Sequence, residues 1–383
     1  MAVRVPVAPE VVEWAMDRSH DAAGISESMP KVREWIDGVS RPTLNQLSNF
    51  AARTGTPFGY LLLPEPPRLE LPIDDFRDGF DADAYREPSS DLLAVINQSI
   101  RRQDWYRDYA SDLDLPEVEV VGRAADWEPT RTAADMRKEL GYEVAQRSGT
   151  RRDQRRYLLQ AFEDLGGLAV ATSMVENNNH HLLDIDEFRG FSLIDETAPL
   201  IFVNTGQTLN GQLFTLAHEF AHVWRGIGGV GVEDPGRTPQ STIERWCNRV
   251  ASEFLVPEAD LHRHFHDVHD EELVAQLEAL SRIFKCGTLV VLQAIERAEL
   301  RRFDDFPAAY EAEVARLKGL SPRQNSGGDF YANQPYRIGE RLSHALIDDV
   351  FGGRTAVAEA IKLMSFKSLS TFDKYARHLD REG

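Results

Sequence analysis

The stretch that decides the fold is Leu209–Trp224, L-N-G-Q-L-F-T-L-A-H-E-F-A-H-V-W, which contains the spacing H-E-x-x-H. His218 and His222 are four residues apart, so in a helix they lie one above the other, with Cβ atoms about 5–6 Å apart. From one helix face both imidazoles can reach a single Zn²⁺. Glu219, one step around the helix, can act on a metal-bound water without ligating the metal itself. The stretch therefore predicts a helix that carries part of a catalytic zinc site.

The alternative is that two histidines meet on this helix by chance, which a five-residue pattern allows. The residues around them are apolar on most sides of the helix, and a helix of that kind is buried. Buried imidazoles and a buried carboxylate are costly without partners, and a metal ion supplies one. The pattern therefore favours a zinc hydrolase, with peptide hydrolysis as the expected activity.

A catalytic zinc needs a third protein ligand and an open position for water. The stretch Thr242–Pro257, T-I-E-R-W-C-N-R-V-A-S-E-F-L-V-P, has apolar residues at helical spacing and ends at a proline. Glu244 near its start is the candidate third ligand, and Asn248, one turn later on the same face, could orient a ligand through a hydrogen bond. Spacing alone leaves open that Glu244 is a first-turn glutamate favoured by the helix dipole. Glu253 is the rival ligand, on another face.

The same residues resemble the ImmA/IrrE family of metallopeptidases. The similarity covers F-T-L-A-H-E-F-A-H at 214–222 and the apolar strand P-L-I-F-V-N at 199–204 before it. The family's third zinc ligand is the glutamate of an E-x-x-A-N-x-F-A helix, which corresponds to Glu244 here. Cys247 replaces the usual alanine and Val250 the usual phenylalanine, and we expect both to be apolar replacements that do not touch the metal.

The resemblance implies a zincin-like core in which Zn²⁺ is held by His218, His222 and Glu244, with Asn248 in a supporting position. Glu219 is then the general base of peptide hydrolysis. The implied substrate is a helix-turn-helix transcriptional repressor, cut in a regulatory or stress response. Two other functions stay open. One is a DNA-binding regulator whose metallo-domain senses or binds a partner, and the other is an antitoxin-type component that binds a cognate toxin.

Residues 1–68 resemble the Xre-type helix-turn-helix domain that many members of this family carry. The similarity rests on the residues Trp35, Gly38, Pro42, Leu44, Leu47 and Ala51. A recognition helix near 30–37 would present Lys31 and Arg33 to operator DNA. The segment holds seven Lys and Arg against eight Asp and Glu, a net charge of −1, so it lacks a strong electrostatic attraction for DNA. Docking of a protein partner or a packing role is the alternative.

The composition favours a cytoplasmic enzyme of two or three domains. The chain has 383 residues, of which 42% are hydrophobic, enough for a sizeable buried core. Its two cysteines, Cys247 and Cys286, argue against a disulfide framework and are typical of a reducing compartment. The net charge of −19 opposes nucleic-acid binding by the whole surface. The longest apolar runs are too short to cross a bilayer and a secretory signal is lacking, so we expect no membrane association.

We expect a mostly helical α+β protein in four segments. These are a helix-turn-helix domain at 1–68, a helical connector at 69–152, a zincin-like metallopeptidase core with a small β-sheet at 153–260, and a helical C-terminal region at 261–383. Helices are predicted at 90–112 and 131–141, and strands at Leu168–Thr172, Phe191–Ile194 and Leu200–Asn204. Residues 321–329, rich in Gly, Ser and Pro, predict a flexible link.

Two groups of histidines lie outside the main motif. His262, His264 and His266 would share a face in a strand and could bind a metal there, whereas in a helix they would splay apart. His180 or His181 could donate a hydrogen bond to an oxyanion that develops during hydrolysis. Plain polarity of a loop is the alternative for each of them.

Overall fold

The computed structural model describes residues 4–19, 21–77, 87–231, 239, 241–269, 271–320 and 330–382. The chain divides into two compact units, of which the first comprises 1–72, 85–97 and 178–181 and the second 73–84, 98–177 and 182–383. The helices α1 to α17 are, in chain order, Pro9–Asp17, Ala22–Ser28, Lys31–Ile36, Leu44–Thr54, Ser90–Asp112, Pro129–Glu139, Arg151–Asp164, Leu209–Arg225, Thr242–Leu255, Glu258–Phe265, Leu273–Phe284, Thr288–Arg297, Phe306–Gly319, Phe330–Ile338, Glu340–Phe351, Val357–Leu363 and Leu369–Glu382. The strands β1 to β6 are Leu168–Thr172, Met174–Val175, Asn178–Leu182, Gly190–Leu193, Leu200–Asn204 and Gly229–Gly231.

The first unit has its core among four short helices, α1 to α4. The rings of Trp35 and Phe50 meet edge to face at its centre, with centroids 5.9 Å apart. Thr43 and Gln46 form a capping box at the start of α4, and Gly55 ends that helix with a φ of +67°. The buried hydrophobic side chains around them include Val11, Val12, Ile25, Leu47 and Leu61. The helices at 9–54 agree with the expected fold class, while the helix-turn-helix identity of this part of the chain stays a prediction.

The second unit is built on a four-stranded mixed sheet in the order β1-β5-β4-β6. β1 and β5 are parallel, with Val170 opposite Phe202, and β4 is antiparallel to both of its neighbours. Every residue of these four strands is buried. Strands that are buried on both faces have continuous apolar sequences, which explains why β1 and β5 were predictable. β2 and β3 lie outside this sheet.

The boundaries of two predicted elements shift slightly in the structure. β4 begins at Gly190, one residue earlier than predicted, because Gly190 pairs with Val203 and Gly231. α6 begins at Pro129, since proline has a backbone conformation suited to the first turn of a helix. It ends before Gly141, whose φ is +59°. β1, β5 and α5 have the predicted bounds.

The segment Asp74–Phe76 extends the sheet beyond β6. The backbone N–H of Phe76 donates to the carbonyl of Val230 at 2.8 Å, and the N–H of Val230 donates to the carbonyl of Asp74 at 3.0 Å. Arg77 anchors the end of the segment, because its buried guanidinium forms an ion pair with buried Glu187 at 3.2 Å. The outer edge of β6 is therefore occupied by another part of the same chain.

The helix α8 packs on β4 and β5, and α9 packs along α8. Two buried arginines hold the carboxyl end of α9, where backbone carbonyls lack helical partners. Arg137 donates to the carbonyl of Glu253 at 2.7 Å, and Arg147 donates to those of Phe254 and Leu255 at 2.9 and 2.5 Å. These bonds fix α9, and with it the side chains that α9 presents to α8.

The structure confirms the predicted α+β class, mostly helical with a small sheet. The predicted flexible link at 321–329 lies outside the described residues. In the described ranges, no helix combines the length and the apolar content that a membrane span requires.

Candidate metal centre

The H-E-x-x-H motif lies in the second half of α8. The helix begins at Thr208, whose side chain accepts a hydrogen bond from the N–H of Gly211 at 3.2 Å, and it ends at Gly226, whose φ is +76°. A left-handed residue at this point lets the chain turn back without strain. The turn brings the carbonyl of Ile227 to 2.7 Å from Nδ1 of His222. The helix terminus thus orients one of the two predicted metal-binding rings.

Three electron-pair donors converge between α8 and α9. His218 Nε2 lies 3.0 Å from His222 Nε2, and the Glu244 carboxylate places one oxygen 3.2 Å from the first and the other 3.1 Å from the second. The three residues are between 0% and 3% exposed. Ligands at about 2.0–2.1 Å from a tetrahedral zinc lie roughly 3.3 Å from one another. The structure therefore brings together the three residues predicted as ligands, at separations that suit one ion.

The outer hydrogen bonds of the rings direct their lone pairs toward this centre. Because Nδ1 of His222 faces a carbonyl oxygen, Nδ1 carries the proton of the neutral ring. Nδ1 of His218 lies 3.0 Å from Oδ1 of Asn248, which is the supporting contact predicted for Asn248. In these tautomers both Nε2 atoms are acceptors, and they face each other and the carboxylate of Glu244. Acceptors so close together need a cation or a proton between them, and two imidazoles with a carboxylate suit zinc.

A proton competes with a metal for this position. Burial lowers the pKa of His222, but the neighbouring Cys247 and Glu244 raise it more, so that the pKa lies well above its ordinary value. Burial raises the pKa of the Glu244 carboxyl, but contacts with His218 and His222 lower it more, and the net shift is downward. A metal must displace the proton that these groups share, so metal affinity falls as the pH falls.

Phe76 covers one face of the centre. Its ring stacks on the imidazole of His222, with centroids 5.8 Å apart and an interplanar angle of 11°. Gly229 in β6 makes room for this ring, since a Cβ at that position would lie 2.4 Å from it. Phe76 was not predicted as a site residue, because no local sequence pattern links it to the motif on α8.

Cys247 lies beside the two histidines of the centre. Its Sγ and one ring nitrogen each of His218 and His222 lie within 4.8 Å of one another, and its side chain is fully buried. Cys247 was expected not to touch the metal, whereas its thiol belongs to the group of side chains that could hold a metal ion. Cys247 is three residues after Glu244 and shares its helix face, which was the available signal.

Two ranges of the chain are similar to known protein families. Residues 163–296 match the model of the IrrE N-terminal-like domain, Peptidase_M78. This range runs from the end of α7 into α12 and contains the whole cluster on α8 and α9. The match supports a metallopeptidase of the ImmA/IrrE type for this part of the chain. Residues 338–378 match a domain of unknown function, DUF8813. No curated protein matches the chain.

Within the Peptidase_M78 range, Glu219 lies on α8 between the two histidines and is 1% exposed. Gly190 of β4 faces its carboxylate at very short range. A Cβ at Gly190 would lie 2.6 Å from Oε1 of Glu219 and 2.6 Å from Cγ2 of Thr215. Only glycine allows α8 to approach the strand this closely, so Gly190 helps to set the position of the predicted general base.

We expect Gly190→Ala to destabilise the protein by about 1–3 kcal/mol and to displace Glu219, because a methyl group has no space there. The carbonyl of Phe202, 3.0 Å from the same Cβ position, blocks a simple shift of the strand. Denaturant unfolding measures the change in stability. Gly319→Ala at the end of α13 is the control, since an added Cβ there meets nothing within 4 Å. Equal stability of Gly190→Ala and the unmodified chain would contradict the close approach.

The remaining predicted ligands do not join the centre. Glu253 accepts a hydrogen bond from the N–H of Glu258 at 3.1 Å and lies 3.7 Å from Arg297, so it has a structural role away from the metal. His262 and His264 lie in α10, a helix, in which they splay apart as predicted for that case. Among the described residues, the metal-binding group contains neither of them. The side chains of His180 and His181 lie outside what the structure describes.

Lys31 and Arg33 lie on the exposed side of α3 in the first unit. Arg33 is 3.4 Å from the carboxylate of Asp37, one turn away, and Glu34 beside it is also exposed. Their accessibility is compatible with contacts to a phosphate backbone, but the acidic neighbours weaken the attraction. DNA binding by α3 stays a prediction.

Proposed function

We propose that this chain is a zinc-dependent peptidase whose metal is held by His218, His222 and Glu244. The observation that supports this most directly is the convergence of two imidazole nitrogens and a carboxylate at 3.0–3.2 Å. It occurs in a range that matches a peptidase family. A second buried carboxylate, that of Glu219, lies between the two histidines on α8, and we propose it as the general base.

Zinc at this position would polarise the scissile carbonyl and acidify an attacking water. Glu219 accepts the proton of that water and then delivers it to the leaving amine. The contacts of Asn248 and Ile227 keep both imidazoles in the tautomer whose Nε2 can ligate. Gly190 leaves space for the carboxylate of Glu219 beside the sheet.

For the substrate we propose a helix-turn-helix transcriptional repressor, cut in a regulatory or stress response. The support is the resemblance of the segments around His218 and Glu244 to the ImmA/IrrE family, together with the match of residues 163–296. Operator-DNA binding as the main function has weaker support, because residues 1–68 carry a net charge of −1.

The test is to search for new protein termini in cells that express the full chain. Repressors that yield discrete fragments are then purified and incubated with the zinc-loaded protein, and the products are identified by mass spectrometry. We expect cleavage with zinc, no cleavage after treatment with 1,10-phenanthroline, and recovery when zinc is restored. A repressor that binds the zinc-loaded chain and stays intact would instead support a binding role.

A further inference from the structure

The face of α9 that meets the two histidines carries three polar side chains. Glu244, Cys247 and Asn248 occupy positions i, i+3 and i+4 of one helix, so all three point toward α8. Glu244 approaches Nε2 of both rings, and Asn248 approaches Nδ1 of His218. Cys247 lies between Glu244 and Asn248 in the sequence. Its thiol belongs to the same cluster of side chains as the rings of His218 and His222. Its location therefore differs from that of an ordinary core cysteine.

The charge of the metal ion and its proposed ligands favours a thiolate as a further ligand. Two neutral imidazoles and one carboxylate leave the divalent ion and its ligands with a net charge of +1, and Glu219, the other buried carboxylate nearby, is not one of those ligands. The three proposed ligands and Cys247 are at most 3% exposed, so solvent reaches these side chains poorly. A thiolate ligand would bring the charge of the ion and its ligands to zero. Sulfur is also a preferred ligand of zinc, with a bond of about 2.3 Å.

We infer that Cys247 is a fourth protein ligand of the metal, which gives a closed resting centre of two histidines, one glutamate and one cysteine. The inference rests on the proposed function only in that a metal binds at His218 and His222. On binding, the S–H bond of Cys247 breaks, a sulfur–metal bond forms, and the proton passes to solvent. No electron is transferred. Four protein ligands fill a tetrahedral shell, so hydrolysis requires that the thiolate leaves its position to water.

Cobalt(II) in place of zinc tests this directly, since it gives visible d–d bands at a tetrahedral site and a near-ultraviolet band when a thiolate is bound. The full chain is stripped of metal, loaded with cobalt(II) and compared with Cys247→Ala. We expect both bands in the unmodified chain and loss of the near-ultraviolet band alone in Cys247→Ala. Cys286→Ala, which removes the other buried cysteine, is the matched control and keeps both bands.

The results that would contradict this inference differ from one another in the cobalt(II) spectrum. Visible bands without the near-ultraviolet band in the unmodified chain would show that a metal binds and that Cys247 is not a ligand. Absence of all bands would contradict both the proposed function and this inference. A near-ultraviolet band that persists in Cys247→Ala and disappears in Cys286→Ala would overturn the assignment of the sulfur.

Proton release provides a second measurement that does not depend on activity. Zinc is titrated into the unmodified chain and into Cys247→Ala in calorimetry buffers of different ionisation enthalpy. We expect one proton more per zinc from the unmodified chain, because both proteins release the proton shared by the histidines and Glu244 and only the unmodified chain also releases a thiol proton. Equal proton release would overturn the inference. Cys247→Ala should fold, because alanine is smaller and is the usual residue at this position in the family that the segment resembles.

Discussion

Glu219→Gln is expected to lower the rate of peptide cleavage by about 10²- to 10⁴-fold, because an amide cannot accept the water proton. The two side chains have the same shape, so the substitution should not disturb the packing against Gly190 or the positions of the two histidines on α8. Metal content should therefore stay at the level of the unmodified chain. Cleavage of a repressor, followed by mass spectrometry, and elemental analysis of the same samples check both parts.

Glu253→Gln is the matched control for this experiment, since it makes the same change in another buried glutamate. The change keeps the size of the side chain, although it weakens the contact with Arg297 at 3.7 Å. Its contact with the N–H of Glu258 can be kept by the amide oxygen. Cleavage by Glu253→Gln should match the unmodified chain. Full cleavage by Glu219→Gln would remove Glu219 from the mechanism.

His218→Ala and Glu244→Ala are expected to lose most of the bound metal. Zinc sites with four protein ligands bind with about 10–16 kcal/mol, so one ligand contributes roughly 3 kcal/mol, or on the order of 100-fold in affinity. Dialysis against a chelator of known affinity, followed by elemental analysis, measures the loss. His262→Ala is the control, because its side chain is 52% exposed and lies on α10, and it should retain the metal.

Glu244→Ala gives the more specific test of the proposed site, because Glu244 lies on α9 and the H-E-x-x-H motif lies on α8. Retention of one metal per chain in Glu244→Ala at the affinity of the unmodified protein would exclude Glu244 as a ligand. His218, His222 and Cys247 would then be the remaining donors in the described part of the chain.

The sequence predicted the parts of the site that depend on helix periodicity. H-E-x-x-H places His218 and His222 on one face of a helix whatever surrounds it, and α8 has this form. The sequence alone did not decide the role of Glu244, because the helix dipole also favours a glutamate in the first turn of a helix that binds no metal. Resemblance to a family favoured it as a ligand, and the structure places its carboxylate against both rings.

The parts that the sequence did not predict depend on contacts between distant segments. Phe76 reaches His222 only because Asp74–Phe76 pairs with β6. Gly190 matters only because α8 lies against β4 at that point. Cys247 was interpreted as an apolar replacement, although its spacing from Glu244 already placed it on the same face of α9. Helix periodicity fixes which residues share a face, and only the tertiary packing shows what each face meets.

The pairing of Asp74–Phe76 with β6 has a consequence for any peptide that approaches His222 from that side. An extended peptide often binds by adding a strand to a sheet edge, but here the backbone groups of Val230 are already engaged. The incoming peptide must compete with a tethered strand whose effective concentration is roughly millimolar. Peptides that bind weakly and without specificity would not pair with this edge of the sheet. A peptide would pair with β6 only if it bound tightly enough to displace Asp74–Phe76.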